Sequence, residues 1–179
     1  FAARRNLAQP RDGGHGAVEG NRQARTGIKR EQRARRNVGR FQRRRNSSYA
    51  AADDQIKARQ AEMKANGKAM GALVAIMKGE APYDAATVKA SLDAMAAADA
   101  AAGEAKAWDA SSMEGATVET WAKPEIWAEG SDIGAKYQAW VDARAALAAT
   151  TDEAGFKAAF PALGQACQSC HESFRRPKG

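Results

Sequence analysis

From Ala51 to Arg175 the apolar residues recur at steps of three and four, and no stretch alternates apolar with polar residues. This spacing constrains the fold more than any other feature. A helix returns to the same face about every 3.6 residues, a half-buried strand every second one. Four helical stretches follow. The first runs from about Asp53 to Lys78, with Ile56, Met63, Met70 and Met77 at a seven-residue repeat and Gln60, Gly67 and Val74 beside them. Asp53 or Asp54 suits its N-cap, and Gly79 with Pro82 ends it. The second covers about Asp84 to Gly103, with Val88, Leu92, Met95 and Asp99 on one face. A looser stretch through Trp108, Met113, Gly115 and Trp121 reaches Pro124. The third helix starts at Pro124 or Asp132 and ends at Ala149, carrying Ile133, Tyr137, Trp140, Val141, Arg144 and Leu147 on one face. The fourth extends from about Asp152 to Arg175, with Phe156, Phe160, Leu163, Cys167, Cys170 and Phe174 alternating by four and three. Helices of this kind pack as an all-α antiparallel up-down four-helix bundle around one shared core.

The first 50 residues follow another rule. They hold 13 Arg and one Lys against Asp12, Glu19 and Glu31, a net charge of +11, while residues 51–179 carry −4. The formal net charge of +7 therefore averages two unlike parts, a basic N-terminal extension (1–50) and the bundle (51–179). The extension has few large apolar side chains, too few to offset the ordering entropy of 50 residues by burial. It is expected to be disordered or bound to a partner. Arg25, Lys29, Arg33, Arg36, Arg40 and Arg44 would share one face if Arg22 to Arg45 formed a helix, a face suited to phosphates. Nucleic acid is thus an open question for residues 1–50, whereas the acidic bundle gives no reason to expect it. No run approaches the ~20 apolar residues of a membrane span, nor is there a ~7–15-residue apolar stretch before residue 50 to serve as a secretory signal. The chain begins with Phe1, leaving upstream processing or truncation open.

Two cysteines are too few for a disulfide framework, but they stand in Cys167-Gln168-Ser169-Cys170-His171, the C-x-x-C-H pattern of covalent haem attachment. On a helix, residues three apart share a face, so both thiols can bond the two vinyl groups along one porphyrin edge. The histidine that follows reaches the iron from one side as proximal ligand. A thioredoxin-like redox pair would need a βαβ context. A structural zinc site would need four ligands, and the only other histidine is His15 in the extension. One covalent haem c is the expected cofactor. Arg59 borders the apolar seam, where a guanidinium is costly without an anionic partner; a haem propionate or water is expected to meet it.

With these features, residues 53–179 resemble the class II cytochromes c, the cytochromes c′ and their low-spin c-556 relatives. Besides C-Q-S-C-H-E-S-F-R, the similar stretches are E-M-K-A-N-G (62–67), K-G-E-A-P-Y-D (78–84) and K-P-E-I-W-A-E (123–129). In the low-spin branch the methionine matching Met63 is the sixth iron ligand, which implies His171/Met63 coordination and an electron carrier. In the cytochromes c′ a bulky non-ligand stands there, and a five-coordinate iron binds nitric oxide or carbon monoxide. The M-K-A-N-G and K-G-E-A-P-Y-D stretches look more like the low-spin branch. Arg175 matches a basic position near the proximal histidine, where a cation would tune the ligand.

The resemblance implies a non-enzymatic haem protein of the bacterial periplasm, docking redox partner proteins at an exposed haem edge. A homodimer through the first helix is implied as well. A third reading has the arginine arm tether the bundle to a large assembly or an anionic surface.

Overall fold

The computed structural model describes the backbone of residues 16–115 and 117–177, and the side chains of 30–44, 46–115 and 117–177. Four α-helices succeed one another: α1 (Gly16–Met77), α2 (Ala85–Glu104), α3 (Ile133–Ala148) and α4 (Glu153–Phe174). Two short helical turns, Ala110–Ser112 and Pro124–Trp127, punctuate the α2–α3 connection. Pro124 thus opens a separate turn, and the third helix begins at the later of its two expected starts. The chain divides into two compact units, Phe1–Asn46 and Ser47–Gly179.

Capping explains several boundaries. The Asp84 carboxylate accepts from the backbone N–H of Ala86 and Thr87 at the head of α2, and Asp152 accepts from Gly155 N at the head of α4. After α1, Gly79 takes φ 73°, a left-handed turn that favours glycine. Lys136 Nζ, near the start of α3, donates to Ser169 Oγ near the end of α4 at 2.9 Å, so these two helices are antiparallel.

The α1 start differs from expectation. The helix begins at Gly16 rather than near Asp53, so the described part of the extension is helical. Arginine is a good helix former and no proline interrupts residues 16–77. Local propensity is enough to account for this, in line with the helix that the arginine spacing of Arg22 to Arg45 allowed. Asp53 is consequently inside α1, not at its cap.

The buried row of α1 also differs. It comprises Ile56, Arg59, Glu62, Ala69, Leu73 and Ile76, while Gln60 and Gly67 are exposed and Met63, on the edge of the row, is 36% exposed. A seven-residue repeat describes a supercoiled seam; a straight helix drifts away from it, and the buried face follows the ordinary helical period. The apolar core is formed by Leu73 and Ile76 of α1, Leu92 and Met95 of α2, Leu147 of α3, and Phe156, Phe160 and Leu163 of α4. Phe156 stacks on Phe160 at 5.5 Å and tilts against Tyr83 at 5.9 Å. Each such side chain contributes about 1.5–3 kcal/mol by leaving water. This core fills the half of the bundle near the α1–α2 link and stops short of Cys167.

Candidate haem-attachment site

The other half of the bundle carries the chemistry. Cys167, Cys170 and His171 lie on the last two turns of α4, each half-buried, and neither thiol is in a disulfide. Burial raises both thiol pKa values above their ordinary 9.0. Burial first, and the Arg175 charge second, lowers the His171 pKa below its ordinary 6.5. The imidazole is therefore neutral at pH 7, as an iron ligand must be. Arg175 itself is exposed; its backbone N–H caps His171 O at 3.0 Å. A short bridge between Ala122 and Arg175 fastens the α2–α3 connection to the end of α4. Lys123 N donates to Phe174 O at 2.9 Å, and Arg176 N to Trp121 O at 2.8 Å.

Arg59 does not face water, and its terminal amino groups are committed to the protein. Its Nη1 donates to Ala107 O (2.6 Å) and Ser112 Oγ (2.8 Å), and its Nη2 to Ser112 O (3.1 Å) and Thr120 Oγ1 (2.9 Å). The guanidinium also lies against two indoles, 5.2 Å from the Trp108 ring and 5.4 Å from that of Trp127. Solvent is thus not the partner of the guanidinium; acceptors of the α2–α3 connection meet its terminal amino groups. One turn on, Glu62 is buried and accepts from Trp108 Nε1. Burial pushes its carboxyl up to about 7; that hydrogen bond and the Arg59 charge oppose the rise, while Asp99 adds to it. Asp53 completes the attachment, accepting from Thr117 N, Thr117 Oγ1 and Val118 N.

Across the bundle, Tyr137 Oη donates to Asp99 Oδ2 at 2.9 Å, and Arg144 Nη1 lies 4.0 Å from the same carboxylate oxygen. Arg144 stacks on Trp140 at 4.3 Å. Sequence spacing put Asp99, Tyr137 and Arg144 on the helix faces, but only the assembled bundle brings them together. The Glu62–Trp108 pair was missed altogether. Its available signal was Glu62 standing three residues from Arg59, on one helical face.

These residues fit a haem. The packed apolar core ends before this half, where Met63, Trp108 and Tyr137 are 36%, 37% and 47% exposed. Two buried polar atoms, Asn66 Oδ1 and Arg144 Nη1, make no hydrogen bond among the described residues. Two thiols, a neutral imidazole and a thioether are the donors that covalent haem takes.

Comparison with known proteins agrees. The description of the family Cytochrome C′ matches residues 54–175. Cytochrome c-556 of Agrobacterium fabrum is 39% identical over 132 residues, covering 73% of this chain and 85% of that protein. A ferrous variant of cytochrome c′ from Alcaligenes xylosoxidans with bound NO superposes with TM-score 0.58 at 29% identity, over 71% of this chain and 97% of that one. A cytochrome c′ described as having an unusual ligand-controlled dimer dissociation superposes with TM-score 0.61 at 33% identity, over 70% of this chain and 97% of that one. The chain therefore belongs to the cytochrome c′ family and, with it, carries one covalently bound c-type haem.

Proposed function

We propose that this chain is an electron carrier of the bacterial periplasm, with its haem iron ligated by His171 and Met63. The observation that carries the reading is Met63 itself. It lies on the half of the bundle that bears Cys167, Cys170 and His171, partly exposed at the edge of a buried row where neighbouring turns are covered. The 39% identity to a cytochrome c-556 adds support.

Once attached, the haem supplies a one-electron iron couple. The chain's residues do the rest. Cys167 and Cys170 would hold the haem covalently, and His171 would offer its iron a neutral imidazole. A Met63 thioether on the iron would raise the potential and exclude weak ligands. Arg175 holds a positive charge beside His171. Arg59 and Glu62 fix the α2–α3 connection against the turn that bears Met63. Redox proteins would dock through small, weak interfaces.

A five-coordinate cytochrome c′ binding nitric oxide or carbon monoxide is the second reading, favoured by the likeness to the NO-bound protein from Alcaligenes xylosoxidans. Met63→Ala separates the two. Under the first reading it lowers the reduction potential and opens the iron to carbon monoxide; under the second it changes neither. A homodimer through α1 belongs to either reading, and sedimentation with and without carbon monoxide tests it.

A further inference from the structure

The arginine-rich part of α1 is a surface that the haem site does not use. From Arg30 to Asn46 the described residues are exposed apart from Gly39. Arg33, Arg36, Arg40 and Arg43 follow one another at steps of three and four and form one row of the helix. Ala34, Val38 and Phe41 form a second row on another side, with Val38 61% and Phe41 67% exposed. The only acidic residue of this stretch, Glu31, is paired with Arg35 at 2.7 Å.

We propose that residues 30–46 form an interfacial helix that lies on an anionic phospholipid surface and holds the haem bundle there. The apolar row matches the acyl boundary, Arg30, Arg35 and Arg44 on its flanks match the lipid phosphates, and the arginine row on the far side adds attraction to the anionic surface. A nucleic acid would satisfy the arginines alone and leave Val38 and Phe41 in water. Phe41 is also the one aromatic residue of the stretch, whereas single-stranded binders interleave several for base stacking. Among the described residues no helix is long and apolar enough to cross a membrane, so this one would rest on the surface. The inference goes beyond the electron-carrier reading and does not depend on it.

The test is co-sedimentation of the full haem-loaded chain with vesicles of phosphatidylcholine, with and without phosphatidylglycerol, at low and high salt. Binding should require phosphatidylglycerol and fall at least about tenfold in high salt. The combined Arg33→Gln, Arg36→Gln, Arg40→Gln and Arg43→Gln variant should lose at least about tenfold. Phe41→Ser should lose about threefold or more, with the haem spectrum of both variants unchanged. Equal binding to both vesicle types, or full binding by the four-arginine variant, would overturn the proposal. So would a nucleic acid duplex that displaces the chain from the vesicles while Phe41→Ser binds them like the wild type.

Discussion

Trp108 Nε1 donates a 2.8 Å hydrogen bond to Glu62 Oε2 and so ties the α2–α3 connection to the turn of α1 that carries Met63. Arg59 adds four bonds to the same connection, one turn earlier. The candidate sixth ligand is thus held in register by polar contacts to a connection that also clasps the end of α4 through Ala122 and Arg175. The turn that bears Met63 and the end of α4 that bears His171 are both tied to that one connection.

Arg59→Met removes every one of those bonds while keeping much of the side-chain volume. Four acceptor atoms, Ala107 O, Ser112 Oγ and O, and Thr120 Oγ1, lose a charged donor. We expect a loss of about 2–4 kcal/mol in urea unfolding of the haem-loaded protein. Arg59→Lys should recover only part, since an ammonium has fewer donors and no planar fork. A loss under about 0.5 kcal/mol for Arg59→Met would show that the connection does not rely on it.

Gly115 sits where the connection passes close against α1. A Cβ there would collide with the Asp53 carboxylate and stand 2.8 Å from Ile56 Cδ1. Gly115→Ala should therefore cost about 1–3 kcal/mol by forcing the two segments apart. Thermal unfolding reads this, and an unchanged midpoint would mean that the connection shifts freely.

Acid should weaken α2 through its cap. The Thr87 hydroxyl, then the backbone N–H groups of Thr87 and Ala86, hold the Asp84 carboxyl below its ordinary 3.8. A carboxyl depressed in the folded state stabilises above its unfolded value, and that contribution disappears as pH falls through the folded one. Asp84→Ala should lower the unfolding midpoint at neutral pH and flatten its decline under acid. Parallel wild-type and variant curves across the acid range would contradict the cap.

How much of this was legible in the sequence differs between its parts. The step of Phe156, Phe160 and Leu163 announces a buried helix face, and C-x-x-C-H announces its chemistry, because both are local patterns. The α1 seam was less legible, since the methionines repeat every seven residues while burial follows the row through Arg59 and Glu62. A buried arginine and glutamate make sense only once Ser112, Thr120 and Trp108 are folded over them, and those lie some fifty residues away. A helix in the extension was legible only as an option, in the arginine spacing between Arg22 and Arg45, because arginine promotes helix without any burial to demand it.

Covalent attachment can be counted directly. Cys167→Ala and Cys170→Ala should each leave the haem on a single thioether. The double variant should release all of it to acidified organic solvent, with the chain mass dropping by one haem. Haem retained on the double variant would place the linkage elsewhere.

The central claim is that Met63 closes the second axial position, and the absorption spectrum of the reduced protein before and after carbon monoxide tests it most directly. A sharp low-spin α-band that carbon monoxide leaves unchanged is the predicted result. A broad high-spin band that shifts on adding carbon monoxide would contradict it and make the iron five-coordinate.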